Sequence, residues 1–128
     1  MAVTENWITK EDLIVSFGER DLPIDDLGNI SDEKIDDSIE YSSLYIESYL
    51  RAIGIELPAS LTVQKELKEC HLNITRYNYS NNESSMTTEI RKLFEESKAY
   101  LNKILKGNIV LSDAGKTAGL SNINLYRV

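Results

Sequence analysis

Cys70 and His71 are the one cysteine and the one histidine of the chain, and they stand side by side. A thiol and an imidazole are the usual parts of a nucleophilic pair or a zinc site, but neither fits here. Neighbours on a helix point about 100° apart, a nucleophile and its base normally come from separate elements, and a structural zinc site wants four ligands. Cys70 therefore reads as buried helix packing. Gly115-Lys116-Thr117 follows the apolar run Ile109 to Leu111 and invites a phosphate-loop reading. That motif needs a further glycine where this chain has Val110, and no amphipathic helix follows Thr117 to point its N-terminus at an anion. The pairs Asp25-Asp26 and Asp36-Asp37 lack the alternating oxygen ligands and closing Glu of a calcium loop. No two carboxylates are forced together in a way that foretells acid–base work. The expectation is a protein that is not an enzyme, with no catalytic residue, no cofactor and no metal.

The carboxylates say more through their location. Between Glu19 and Glu40 nine acids face two bases, and the remainder of the chain is balanced, so the whole net charge of −7 sits in one block. Nucleic-acid grip needs clustered Lys and Arg to displace counterions, so the charge argues against it. Such a block suits a surface that must not hold on to DNA. The 128 residues fit one domain with one core. No apolar run is long enough for a membrane span, and the start of the chain lacks the basic and apolar stretches of a secretory signal. The cytosol is the expected place of synthesis and folding. A lone cysteine excludes an internal disulfide, and the sequons at Asn73, Asn78 and Asn82 read as chance matches in that compartment.

The elements that carry these residues read as helices. Thr9 is an N-cap with Asp12 at the capping-box position, Ile8 staples onto Leu13, and Gly18 stops a short first helix bearing Leu13, Ile14 and Phe17. Glu19 to Asn29, with Pro23 and Gly28, reads as a loop. Ser31 caps a long second helix in which Ile35, Ile39, Ser42, Ile46, Tyr49, Leu50 and Ile53 recur at three- and four-residue steps before Gly54. Tyr41, Tyr45 and Tyr49 form a neighbouring stripe, suited to the edge of the core or to a subunit interface. Ile55 to Pro58 should be extended, since the residue before proline disfavours helix. A third helix is expected from Ser60–Val63 to about Tyr79, facing inward with Leu67, Cys70, His71, Ile74 and Tyr77. After a polar loop at Ser80 to Ser85, a fourth starts at Thr87 or Thr88 and ends at Gly107. It carries Ile90, Leu93, Phe94, Ser97, Leu101, Ile104 and Leu105 inward. The fold class expected is all-α: a small four-helix bundle over 1–111, followed by an extended or disordered arm over 112–128. Ile109, Val110 and Leu111 form a short apolar run that could be a strand or the root of an extended arm. With Leu120, Ile123, Leu125 and Tyr126 they are apolar anchors along a tail from Gly107 that is too polar to fold alone.

Several short stretches occur in a telling order. They are Ile8-Thr9-Lys10-Glu11-Asp12-Leu13-Ile14 with Phe17-Gly18-Glu19, then Ile35-Asp36-Asp37-Ser38-Ile39, Ser42-Ser43 and Ile46-Glu47-Ser48-Tyr49-Leu50. Leu57-Pro58, Cys70-His71-Leu72-Asn73-Ile74-Thr75-Arg76-Tyr77, Thr88-Glu89, Ala99-Tyr100-Leu101 and Ile104-Leu105-Lys106-Gly107 complete the set. Over about residues 7 to 111 this order resembles the Mu-type family of phage neck proteins. The chain departs from the family's tendency to Asp-Ile-Ala-Arg-Tyr by reading Asn73-Ile74-Thr75-Arg76-Tyr77. The resemblance implies a helical head–tail connector that assembles with itself as a ring beneath the portal and joins the DNA-filled head to the tail. Its partners would be the portal protein and the tail-side neck protein, and its place the virion neck, with DNA passing through unbound. Asp25, Asp26, Asp32, Asp36, Asp37, Tyr41 and Tyr45 become candidates for the interface or lumen, and the arm anchors for docking on a neighbour. A second class stays open: a small acidic helical binding module regulating a host protein.

Overall fold

The computed structural model describes residues 7–80 and 86–111. Among them the fold is all-α, and the helix starts follow from local chemistry. In α1 (Lys10–Phe17) the Thr9 hydroxyl accepts from the Asp12 N–H at 3.3 Å, while the Asp12 carboxylate accepts from the Thr9 N–H at 2.9 Å. This reciprocal box satisfies two orphan donors. Gly18, at φ 92°, then turns the chain and donates its N–H to Ile14 O at 2.8 Å. Ser31 caps α2 (Asp32–Ala52), Ser60 caps α3 (Leu61–Glu66) and Thr87 caps α5 (Thr88–Leu105), each hydroxyl accepting an N–H three residues on. Helix α4 (Lys68–Ser80) lies between α2 and α5, and α1 leans on it from the other end.

Eight of the thirteen residues of α4 are buried, on more than one face. The core falls into two apolar clusters on either side of it. Cys70 and Ile74 join Ile46, Leu50, Val63, Leu67, Phe94, Leu101 and Ile104 in the larger one. Leu72 and Tyr79 join Ile8, Leu13, Leu22, Ile35 and Ile39 in the smaller one. Along α2 the boundary falls between Ile39 and Ile46, where the buried residues are Ser42 and Ser43.

Three sequence expectations are corrected. The third helix is two, α3 and α4, broken at Leu67. Leu67 still donates to Val63 O at 3.1 Å and accepts from the His71 N–H at 2.9 Å. One apolar stripe (Val63, Leu67, Cys70, Ile74) therefore spans a bend that no glycine or proline marks. The stretch 19–29 is not irregular either. It holds a 3-10 turn, η1 (Glu19–Asp21), and a tight turn closed by an antiparallel bridge between Ile24 and Ile30. Finally, Ile109 to Leu111 forms no strand, and Leu111 is buried in the larger cluster with Ile109 packed against it. These two expected arm anchors thus belong to the core of their own chain. The Leu57–Pro58 peptide is cis.

Ile39 and Leu101, 2% and 0% exposed, sit one in each cluster. Ile39→Asp and Leu101→Asp each bury an unpaired carboxylate, at a cost of several kcal/mol against a typical total of about 5–15. Each variant is expected to lose its helical far-ultraviolet circular dichroism at 25 °C. Retention of a cooperative, wild-type melting transition by either one would contradict this core assignment.

Candidate functional site

His71 is wholly buried, and three hydroxyls surround its ring. Nδ1 lies 2.9 Å from Ser42 Oγ and Nε2 lies 2.7 Å from Ser43 Oγ, so consecutive residues of α2 grip the imidazole at both nitrogens. Thr75 Oγ1 sits 2.6 Å from Ser42 Oγ and donates to His71 O at 2.8 Å. Ser42 also donates to Ile39 O at 3.0 Å. A neutral imidazole offers one donor and one acceptor. Either tautomer is served. With the proton on Nδ1, that nitrogen donates to Ser42 and Ser43 donates to Nε2; with the proton on Nε2, that nitrogen donates to Ser43 and Ser42 donates to Nδ1. Among the described residues no carboxylate faces the ring, and burial pushes the His71 pKa down from 6.5 to about 4. Trp7 meets the ring edge-on at 5.5 Å.

Cys70 points the other way. Its thiol donates to Ser97 O of α5 at 3.9 Å, and burial raises its pKa to about 11. The adjacent thiol and imidazole thus serve two different helix contacts and form no nucleophilic pair. Asn73 Nδ2 donates to Ser97 Oγ at 3.2 Å on the same side. Asn73 and Thr75 thus both make interhelical hydrogen bonds, to Ser97 of α5 and Ser42 of α2. Among the described residues no group of three metal-binding side chains occurs, and no helix is long and apolar enough to cross a membrane.

A second polar contact escaped the sequence reading. Asp21, in the acidic block, accepts two hydrogen bonds from Arg76, at 3.0 and 2.9 Å, and a third from the Tyr79 hydroxyl at 2.8 Å. The Arg76 guanidinium also stacks over the Phe17 ring at 4.3 Å. A fork on a carboxylate is the strong form of an ion pair, and here it ties η1 and α1 to α4. Asp21 and Arg76 are 55 residues apart, so neither helical periodicity nor a local motif could pair them.

The expected surface residues divide. Asp25 is structural: its Oδ1 accepts from the N–H groups of Leu27 and Asn29, at 2.9 and 3.0 Å. Asp26, Asp32, Asp36 and Asp37 are exposed at the start of α2 and just before it, and Asp32 pairs with Lys10 at 3.0 Å. Tyr41, Tyr45 and Tyr49 run along α2 with ring centroids 6.0 and 5.7 Å apart. Tyr45 also meets Phe94 edge-on, and Phe94 stacks on Tyr77 at 3.9 Å. The stripe is thus both core edge and surface: Tyr41 is exposed, whereas Tyr45 and Tyr49 pack against the larger cluster. Tyr45, Ser48, Tyr49 and Ala52 of α2 face Asn102 and Leu105 of α5 across a groove of about 360 Å³. Of the expected arm, Val110 is exposed, while Leu120, Ile123, Leu125 and Tyr126 lie outside the described residues.

The family model described as "Bacteriophage Mu, Gp36" matches residues 7–124. No curated protein matches the chain.

The seam between α2 and α4, where Ser42, Ser43 and Thr75 surround His71, generates a pH dependence. A histidine held below its ordinary pKa binds fewer protons folded than unfolded. Its contribution is therefore complete above about pH 6.5 and is lost as pH falls through about 4. At 1.36 kcal/mol per unit the loss reaches about 3 kcal/mol. Buried Glu47 is pushed the opposite way, its pKa raised by burial against a partial offset from Arg51, so a bare pH profile mixes the two. Comparison with His71→Gln separates them. The variant is expected to be less stable than wild type at pH 7 by about 1–3 kcal/mol, with the gap closing by pH 4 in urea titrations. A gap constant over that range would contradict a neutral His71.

Proposed function

The chain belongs to the Bacteriophage Mu Gp36 family, and from that premise we propose that it is a structural subunit of the phage particle, a connector between head and tail. Copies assemble as a ring beneath the portal, contact the portal protein on one side and a tail-side neck protein on the other, and leave a channel for the genome. The family membership carries the reading, and the residues explain how the chain would serve it. The one thiol and the one imidazole are buried in helix contacts, which fits a part whose work is shape and contact. The acids Asp26, Asp32, Asp36 and Asp37 are exposed at the start of α2 and just before it. A negative wall repels phosphate, so DNA slides past without sticking. The protein would fold in the host cytoplasm and end in the virion neck.

Native mass spectrometry at high protein concentration tests the assembly directly, and a closed ring of identical copies is the expected species. A chain that instead forms a stable one-to-one complex with a host protein, and no ring, would reject the connector. Reversing Asp26, Asp32, Asp36 and Asp37 to Lys tests the channel. Particles carrying that variant are expected to eject their genome more slowly, and unchanged ejection would take these acids out of the lumen. Removal of residues 112–128 tests docking by the tail. The cut falls after Leu111 because Leu111 is a core residue. The shortened protein should fold yet fail to join heads to tails, and normal joining would reject the docking arm.

A further inference from the structure

Leu27 is 86% exposed, more than any other large apolar side chain described, and its turn is closely held. Besides the two hydrogen bonds to Asp25 Oδ1, the Asp25 N–H donates to Asn29 O at 2.7 Å and the Gly28 N–H donates to Asp25 O at 3.0 Å. Gly28 has φ 85°, a conformation a side chain would strain. Ile24 and Ile30 bridge the base of the turn, and Lys34 Nζ donates to Ile24 O at 3.0 Å. Loose loops can fold an exposed leucine back onto their own apolar residues; this one holds it outward, with Asp25 and Asp26 beside it. A preorganised apolar knob loses little entropy when it docks.

The groove between α2 and α5 has the complementary character. Tyr49, Ala52 and Leu105 give it an apolar lining, and about 360 Å³ is ample room for one leucine side chain. Arg51 stands one turn beyond Ser48, and Lys106 one turn beyond Asn102, so exposed cations flank it where the knob carries acids. Knob and groove cannot meet within one chain. The knob precedes α2, and the groove lies along the last turns of that 21-residue helix, roughly 25 Å away at 1.5 Å per residue. A contact between different patches of identical copies is heterologous and propagates from copy to copy, closing as a ring where the rotation allows.

We propose that the Ile24–Ile30 turn of one copy seats Leu27 in the α2–α5 groove of the next, with Asp25 and Asp26 against Arg51 and Lys106. The closure of this contact into a ring rests on the connector reading above. One leucine falls short of the roughly 800 Å² per partner that a stable interface buries. Ile24 in the turn, 55% exposed, and Tyr41 and Leu44 along α2, 44% and 39% exposed, supply further apolar area.

Leu27→Asp and Leu105→Asp test the contact by sedimentation velocity on the full chain, since both positions are exposed and each variant should keep wild-type circular dichroism. Each variant alone is expected to associate at least about tenfold more weakly than wild type. An equimolar mixture should form heterodimers and stop there, because only one live knob and one live groove meet. Wild-type assembly with undiminished assembly of Leu27→Asp overturns this contact and leaves the ring standing. Loss of assembly in Leu105→Asp and on removal of residues 112–128, but not in Leu27→Asp, overturns it in favour of the carboxy-terminal segment as occupant. A wild-type chain that stays monomeric at every concentration overturns both the contact and the ring.

Discussion

A histidine shut away from water and from any carboxylate has to be neutral, and its two nitrogens have to find one donor and one acceptor. His71 finds them in Ser42 and Ser43, 2.9 and 2.7 Å away on consecutive positions of α2. That requirement fixes the rotation and height of α4 against α2, because a slip of one residue along either helix leaves buried polar atoms unpaired, at about 1–3 kcal/mol each. Apolar contacts alone tolerate such slips far better, since one aliphatic side chain replaces another with modest loss. The seam thus lets α4 take apolar neighbours on both sides without ambiguity of register. Once α4 is set, Cys70 and Asn73 present themselves to Ser97 and place α5, while Arg76 and Tyr79 present themselves to Asp21 and place η1 and α1.

The outer surface follows from the same arrangement. Because α4 stands between α2 and α5, those two helices meet each other less fully, and the tyrosine-lined groove is what remains between them. Because Arg76 draws Asp21 inward, the chain between α1 and α2 is pinned, and the short turn that follows projects with its acids and Leu27 outward. The exposed acids Asp26, Asp32, Asp36 and Asp37 therefore stand at the start of α2 and just before it, away from the groove along its last turns. A body whose acids and groove lie apart along α2 is suited to meeting its own copies end to side, which is the geometry a ring requires.

Much of this was legible from single residues and their spacing. Thr9, Ser31 and Thr87 act as caps because a short hydroxyl side chain can reach an N–H one turn ahead. Gly18 ends α1 because its backbone takes the positive φ required there. The spacing of Ile35, Ile39, Ile46 and Leu50 told which face of α2 turns inward. What stayed hidden depends on neighbours distant in sequence. His71 was legible as inward-facing, but Ser42 and Ser43 as its partners were not, because small polar residues on a buried stripe give no sign of what they bond. Asp21 looked like one more solvated acid of its block until the fold brought Arg76 to it. The bend at Leu67 left no mark because the apolar stripe continues through it. Of the surface candidates, the tyrosine stripe and the acids of α2 lie where periodicity put them, whereas the rigidity of the Asp25 turn depends on side-chain-to-backbone bonds that composition does not reveal.

The central claim is that the helix register hangs on a neutral imidazole, and the chain's single histidine makes it directly measurable. Nitrogen-15 nuclear magnetic resonance of the imidazole, followed from pH 7.5 to 5, reports protonation and tautomer together. A neutral ring held by Ser42 and Ser43 keeps one protonated nitrogen, with shifts that stay nearly constant down to pH 5. A ring that titrates near 6.5 with both nitrogens exchanging with solvent would contradict it.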